Sequence, residues 1–261
     1  MAQNKPGEIV TAALAIIGDE ILSGRTQDTN TAWIAGRLKA RGIALREVRV
    51  VPDDAATIIR TVNELRAQAD YLFTTGGLGA THDDITAESI AQAFGVALEK
   101  NEAAMEMLRA YYDRVGKELN ETRERMARIP KGATLIPNTV SGAPGFVMEN
   151  VYVLAGVPDI MKAMFGMIEE SLRRGAEIYT ESVESPFPEG EIARPLADLQ
   201  KQYPEVAIGS YPKMEPDGRW RATIVFTSRD AGKLQEARQA FEGILQSLQQ
   251  TRHQPVPANN V

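Results

Sequence analysis

The sequence predicts a three-layer α/β/α fold, in which a mostly parallel β-sheet lies between two layers of helices, followed by a small α+β domain. Apolar runs typical of buried strands alternate with amphipathic segments in the order strand, helix, strand, helix, strand, helix. This order requires parallel strands joined by crossover helices. Hydrophobic residues make up 43% of the 261 residues, which is enough to bury a sizeable core.

Three strands are predicted before the first long glycine-rich loop, over residues 8–17, 43–51 and 71–75. Helices are predicted between them because apolar residues recur there at helical spacing. Asp53 or Asp54 is expected to cap the second of these helices, since Asp is a preferred N-cap residue.

A polar helical segment and three short strands complete the first domain. Residues 101–128 are predicted to form one helix or a pair broken at Gly116, and its arginines are interpreted as a solvated face. A helix is expected to begin near Pro158, with its methionines filling the core. Short strands are expected over residues 133–136, 146–148 and 151–154.

The domains are placed at residues 8–174 and 176–250, with flexible tails at 1–7 and 251–261. The second domain has the predicted order strand, helix, strand, strand, helix. It contains no Gly-x-x-Gly motif, the backbone clamp of RNA-binding KH domains, so RNA binding is not expected.

Composition excludes several classes of protein. The formal net charge of −6 argues against a nucleic-acid-coating surface. The absence of cysteine excludes disulfides, thiol catalysis and Cys-zinc sites, and the two histidines, His82 and His253, are too few for a His-rich metal site. There is no apolar run of about 18 residues and no signal pattern, so a cytoplasmic protein without a membrane span is expected.

The most informative stretch is the loop that follows the third strand. Gly76, Gly77 and Gly79 let a ligand approach the backbone closely, and their N–H groups can form an anion-binding nest. Asp83 and Asp84 follow, and Thr86 is expected to cap the next helix. The loop therefore predicts a phosphate site beside a pair of carboxylates, at the end of the sheet where ligands of α/β proteins bind.

Further acidic residues are expected at the same edge, because the carboxyl ends of parallel strands lie side by side. Without a cation these carboxylates would repel one another, and their oxygens suit Mg²⁺ or Mn²⁺. The acids concerned are Asp19, Glu20, Asp53, Asp83 and Asp84.

The string T-T-G-G-L-G-A-T-H-D-D-I-T resembles the signature of the molybdopterin-binding (MoaB/Mog) superfamily, most closely the amino-terminal branch of the CinA (competence/damage-inducible) proteins. G-D-E-I-L-S-G, D-T-N-T, P-N-T-V-S-G-A-P-G-F and A-G-V-P support the resemblance over about residues 8–250. Ala80 and Ala155 stand where that branch usually has proline.

The resemblance implies a MoaB/Mog-like domain followed by a KH-like domain. It implies a pyrophosphatase, dependent on Mg, Mn or Co, that splits ADP-ribose-type dinucleotides and sometimes FAD into AMP and a phosphorylated product. The alternatives are a molybdopterin-binding protein of molybdenum cofactor biosynthesis and a non-catalytic nucleotide-binding or interaction module. A homo-oligomer, most simply a dimer, is implied. A nicotinamide-nucleotide amidase domain would follow residue 250 and is not expected here.

Site residues follow from the loop and the resemblance together. Asp84, Asp53 and Asp83 are the candidate catalytic residues, and the candidate metal ligands are Asp84, Asp53 and Glu20. The candidate residues for binding a dinucleotide or pterin-type substrate are Gly18, Asp19, Glu20, Asn30, Thr75, Gly76, Gly77, Leu78, Gly79, Thr86, Asn138, Ser141, Gly142 and Gly145.

Several of these residues also have a purely structural interpretation. Asp53 and Asn30 belong to residue types that cap helices. The pairs Asp19–Glu20 and Ser141–Gly142 can lie in ordinary turns. Because Asn is nearly isosteric with Asp, Asp84→Asn is expected to leave the loop intact while removing a charge.

Overall fold

The computed structural model describes residues 9–253, which form two compact units divided between Ala176 and Glu177. The expected tail at residues 1–7 lies outside the described residues, as do residues 254–261 of the second expected tail. Residues 251–253 belong to the last helix instead of the tail.

The first unit is built around a six-stranded sheet, β1 Val10–Ile17, β2 Ile43–Val51, β3 Tyr71–Thr75, β6 Thr134–Ile136, β7 Gly145–Met148 and β8 Val151–Leu154. The strand order is β2-β1-β3-β8-β7-β6. Strands β2, β1, β3 and β8 are parallel, whereas β7 and β6 run antiparallel beside β8. A separate antiparallel pair is formed by β4 Leu98–Lys100 and β5 Arg128–Pro130.

The helices of the first unit are α1 Asp19–Leu22, α2 Asn30–Ala40, α3 Ala55–Gln68, α4 Thr86–Ala93, α5 Glu102–Arg114, α6 Glu121–Glu124 and α7 Pro158–Ile168. They form two layers because β1 points successive side chains to opposite faces of the sheet. Ala13, Ala15 and Ile17 pack into a core with residues of α3, α4 and α5. Leu14 and Ile16 pack into a second core with residues of α2 and α7. The predicted three-layer α/β/α arrangement is confirmed.

Three segments differ in part from the local predictions. The segment after β1 is a four-residue helix, α1, instead of a plain turn. The 101–128 segment contains two helices broken near Gly116, as expected, but it then continues through a 3-10 turn, Arg125–Ala127, into β5. Thr86 does not cap α4 with its side chain; it is the first helical residue and is fully buried.

The methionines of α7 divide between the core and the surface. Met161 and Met164 are buried, as predicted, whereas Met167 is 59% exposed.

The second unit has the predicted order strand, helix, strand, strand, helix. Its elements are β9 Tyr179–Ser185, α8 Glu189–Gln202, β10 Ala207–Met214, β11 Trp220–Ser228 and α9 Ala231–His253. The three strands form an antiparallel sheet in the order β10-β11-β9. Its own core joins Phe226 of the sheet to Ile192 of α8 and Phe241 of α9. From residue 9 to residue 253, no helix is both long and apolar enough to cross a membrane.

Alanine substitutions at two glycines of the first unit are expected to change the stability of the protein in opposite directions. Gly76 has a φ of 107°, and a Cβ there would overlap the carbonyl oxygen of Ile17. We expect Gly76→Ala to destabilise the protein by about 1–3 kcal/mol, because an L side chain is strained there. Gly166 is exposed within α7 with open space around it, so Gly166→Ala should stabilise by about 0.5–1 kcal/mol. Urea unfolding of both variants measures the two changes, and a Gly76→Ala protein as stable as the parent would contradict the expectation.

Candidate functional site

The carboxyl ends of the first two strands are joined directly. The amide of Gly18, after β1, donates to the carbonyl of Val51 at the end of β2 at 3.1 Å. The next amide, that of Asp19, donates to the Asp53 carboxylate at 2.9 Å. The Gly18–Glu20 and Asp53 segments therefore meet at one edge, as the parallel sheet predicts.

The glycine loop after β3 is closed by Thr86. The buried Thr86 hydroxyl donates to the Gly76 carbonyl at 3.0 Å, and the Thr86 amide donates to the Gly77 carbonyl at 3.2 Å. Gly77 has a φ of 62°, and a Cβ there would overlap the Thr86 hydroxyl. Neither position tolerates a side chain, so a ligand can approach the backbone closely. The Gly76 amide donates to the Leu154 carbonyl at 3.2 Å, whereas the Gly77 and Leu78 amides have no acceptor among the described residues and remain open to a ligand.

Asp84 holds the tip of this loop. One carboxylate oxygen accepts from the Gly79 amide at 2.6 Å, and the other accepts from the Thr81 amide at 2.8 Å and hydroxyl at 2.5 Å. The Asp84 carboxylate thus bridges Gly79 and Thr81. An Asn side chain has a single acceptor oxygen and so cannot accept on both sides. The expectation that Asp84→Asn leaves the loop intact is therefore replaced by the expectation that it breaks one side of this bridge.

Asp83 lies outside the bridge. Its side chain is 62% exposed, and His82 Nδ1 lies 3.9 Å from its carboxylate. The Thr81 side chain, together with the backbone amide of Asp83 and a smaller contribution from His82, holds the pKa of Asp83 below its ordinary value.

Asp53 and Asp54 separate into two roles. Asp54 caps α3 by accepting from the Thr57 amide at 2.8 Å, so Asp53 is not the cap. Partial burial raises the pKa of Asp53, and the charges of Asp19, Glu20 and Asp83 raise it further, against the opposing hydrogen bond from the Asp19 amide. The acids at this edge are thus close enough to repel one another.

Asn30 is not a helix cap either. Asp28 accepts from the amides of Asn30 and Thr31 at 2.9 and 3.2 Å. The buried Asn30 side chain instead donates to the Gly156 carbonyl at 2.7 Å, and its own oxygen has no partner among the described residues. Asn30 therefore links the start of α2 to the loop that precedes α7.

The loop between β6 and β7 is organised by Asn138. Its side-chain oxygen accepts from the amides of Val140 and Ser141 at 2.9 and 3.3 Å, and its amide nitrogen donates to the Ser141 hydroxyl at 2.6 Å and the Ala143 carbonyl at 3.0 Å. Asn138 shapes this loop, which contributes Ser141, Ala143 and Pro144 to the lining of the site.

A cleft of about 490 Å³ lies at this edge of the sheet, a volume within the range of small-molecule sites. The predicted residues that line it are Glu20, Gly76, Gly77, Leu78, Gly79, Asp84 and Ser141. The other predicted residues are not among the lining residues. Asn30, Asn138 and Thr86 support it through the contacts above. Thr75 is buried at the end of β3, and its hydroxyl has no hydrogen-bond partner within residues 9–253.

Gly142 and Gly145 lie elsewhere. Gly142 lines a separate cavity of about 230 Å³ beside Tyr111. Gly145 is buried in β7, where a Cβ would overlap the Val153 carbonyl, so glycine is needed there for the close packing of β7 against β8.

The apolar wall of the cleft was not predicted. Met164, assigned to the core, lines the cleft with its neighbours Val157, Pro158 and Ile160, and Met126 and Pro144 come from other segments. The A-G-V-P motif before α7 was the only local signal for this wall. A mostly apolar wall beside open backbone amides suits a flat heterocycle joined to an anionic group.

A second, smaller cavity of about 30 Å³ shares the glycine loop. It is lined by Arg125 and Arg128, which the sequence assigned to a solvated face, and by the acids Asp84 and Glu88. The sequence predicted a helix through these two arginines, whereas the structure has a 3-10 turn that starts at Arg125 and a strand that starts at Arg128.

No group of three or more acidic or histidine side chains within residues 9–253 is placed to hold a metal ion. Glu20 and Asp84 nevertheless line one cleft. Mg²⁺ in nucleotide sites is commonly held by one or two carboxylates plus substrate phosphates, so this donor set fits a cation that arrives with a phosphorylated ligand.

Each of the two units matches a known protein family. The family model described as "Probable molybdopterin binding domain" matches residues 13–174, and that of "FAD synthase, middle domain" matches residues 177–252. A protein from Archaeoglobus fulgidus is 36% identical over 229 residues, covering 88% of this chain and 95% of the relative. A Pyrobaculum calidifontis protein is 37% identical over 248 residues, covering 91% and 94%.

Among solved structures, a crystal structure of a protein named CinA, of unknown function, from Thermoplasma acidophilum matches with a TM-score of 0.58 and 34% identity. The match covers 62% of this chain and 98% of that chain.

The raised pKa of Asp53 predicts a stability effect. The folded protein holds the Asp53 proton more tightly than the unfolded chain does, so ionised Asp53 opposes folding at neutral pH. We expect Asp53→Asn to resist urea better than the parent at pH 7. This advantage should shrink as the pH falls through the raised pKa of folded Asp53, and it should be lost below about 4, where Asp53 is protonated in the unfolded chain as well.

Asp54→Asn is the matched control with the opposite sign. The side chain and amide of Thr57 lower the pKa of Asp54, so its ionised form favours folding. Asp54→Asn should therefore be less stable than the parent at pH 7. A loss of stability in both variants would contradict the assignment for Asp53.

Proposed function

The chain belongs to the molybdopterin-binding (MoaB/Mog) family, with a CinA-like first unit, and we propose that it is a divalent-metal-dependent pyrophosphatase. Its proposed substrates are ADP-ribose-type dinucleotides, with FAD as a second candidate, and its products are AMP and a phosphorylated partner. The observation that carries the proposal is the cleft in which an apolar wall faces the glycine loop, whose Gly77 and Leu78 amides donate to no group among the described residues.

This substrate class combines the two chemical features that the cleft offers. A heterocycle fits against the apolar wall, and a pyrophosphate fits against backbone amides, which can form an anion-binding nest. The FAD synthase middle-domain match of the second unit adds support for a nucleotide-related function.

The chain's own residues suggest how hydrolysis would proceed. The amides of the glycine loop would stabilise negative charge as it develops on the attacked phosphoryl group. Asp84 faces the cleft and would orient the attacking water and accept its proton. The new P–O bond forms from the water oxygen as the bond to the bridging oxygen breaks. Asp53, whose pKa is raised, is the second candidate base, and Asp83 is the third.

Glu20 and Asp84 line the cleft and would hold the divalent cation. Asp53 accepts from the Asp19 amide next to Glu20 and would support them from that position. When bound, the cation would offset the charge of the phosphate oxygens.

Molybdopterin binding is the second candidate function. The match to the molybdopterin-binding domain model favours it, and a pterin ring bearing a phosphate has the same two features as a dinucleotide. A homo-oligomer, most simply a dimer, remains a proposal from family resemblance, to be checked by light scattering.

A substrate panel tests the proposal. ADP-ribose, FAD, NADH and ATP are each incubated with chelator-treated protein, with and without Mg²⁺, Mn²⁺ or Co²⁺, and AMP release is followed by chromatography. We expect AMP from ADP-ribose only when a cation is restored. Full turnover after exhaustive chelation would overturn the metal requirement, and no AMP under any condition would leave molybdopterin binding as the better candidate.

Asp84 and Asp83 form a matched pair for the mechanism. Asp84→Asn removes the charge that faces the cleft and one side of the loop bridge, so AMP release should fall about 100-fold or more. Its melting temperature should also fall. Asp83→Asn, at an exposed neighbour outside the bridge, should stay within a few-fold of the parent in rate and near it in melting temperature. Turnover at the parent rate by Asp84→Asn would remove Asp84 from the mechanism.

A further inference from the structure

The cleft and the smaller cavity are contiguous but chemically different. The lining residues that they share are Gly77, Leu78, Gly79, Asp84, Met126 and Pro144. A ligand that lies along the glycine loop therefore reaches both. The larger space, about 490 Å³, admits a ring system, whereas the smaller, about 30 Å³, suits only a small group.

Arg125 and Arg128 are held at the smaller cavity by a short, anchored segment. Arg125 begins the 3-10 turn and Arg128 is the first residue of the extended strand β5, and both line the same cavity. Between and beside them, Ala127 and Ile129 are buried at 0% and 3% exposure. The carbonyl of Ala127 also accepts from the Asn101 amide at 2.8 Å, which fixes the turn at the start of α5.

Both guanidinium groups are available for a ligand. Within residues 9–253 neither Arg125 nor Arg128 takes part in an ion pair, although Glu124 beside them pairs with Lys100 at 2.8 Å. Two acids also line the cavity. Asp84 already accepts three hydrogen bonds from its own loop, and Glu88 lies in the first turn of α4, where the helix dipole favours a negative charge.

We propose that Arg125 and Arg128 form a second phosphate subsite, which binds the distal phosphate of the pyrophosphate, the one that leaves with the sugar. This inference rests on the proposed function for the identity of the ligand. It assigns an orientation: the heterocycle lies against the apolar wall, the phosphate that remains on AMP lies on the glycine loop, and the distal phosphate that departs with the sugar lies at the arginines. Guanidinium groups suit this role because they hydrogen-bond phosphate in a bidentate manner.

The test separates the two ends of the ligand. Binding of ribose 5-phosphate, AMP and ADP-ribose is measured by calorimetry for the parent and for the double variant Arg125→Gln/Arg128→Gln. We expect the double variant to lose ribose 5-phosphate affinity by about 10-fold or more while its AMP affinity stays within about twofold. Arg109→Gln, which changes an exposed arginine of α5 outside both cavities, should leave all three affinities unchanged. Unchanged melting temperatures confirm that the variants fold.

The outcomes distinguish this inference from the proposed function. If ADP-ribose is not hydrolysed but the double variant still loses affinity for ribose 5-phosphate, the pyrophosphatase proposal fails and the subsite stands. If ADP-ribose is hydrolysed with the same KM by the parent and the double variant, the subsite is wrong. Equal loss of AMP and ribose 5-phosphate affinity, or no binding of ribose 5-phosphate by the parent at millimolar concentration, also overturns it.

Discussion

The closure of the glycine loop by Thr86 is the constraint on which the site depends. A single buried residue bonds through its hydroxyl to the Gly76 carbonyl and through its amide to the Gly77 carbonyl. These bonds join the end of β3 to the start of α4. They require glycine at both positions, because a Cβ at either would overlap a neighbouring oxygen. The cleft of about 490 Å³ and the cavity of about 30 Å³ share this loop, so its shape sets the position of each.

The site also brings several charged side chains close together. Asp53 lies near three other acids, and its raised pKa records the free-energy cost of that crowding together with partial burial. Sites that bind charged ligands commonly retain such a cost because the same groups are used in function. The neighbouring loop offers backbone amides and, at the smaller cavity, two arginines. Carboxylates, backbone amides and guanidinium groups thus line one groove, an arrangement suited to a ligand whose phosphates and cation bind together.

The sequence by itself determined the layers of the fold. Alternating apolar runs and helical spacings are local patterns, and they predicted the parallel strands and the two helix layers that β1 separates. The glycine loop was identifiable for the same reason, since its glycines and acids are consecutive. The order of elements in the second unit also followed from local periodicity.

Tertiary structure decided what each polar residue does. Asp53 and Asp54 are adjacent acids that the sequence could not separate, and the contact with Asp19, 34 residues away, distinguishes them. Asn30 acquires its role from Gly156, 126 residues away. Arg125 and Arg128 reach the loop only because β5 pairs with β4, a short strand without a clear periodic signal. A hydrogen bond or a cavity depends on which backbones meet, and that is a property of long-range packing that local pattern does not encode.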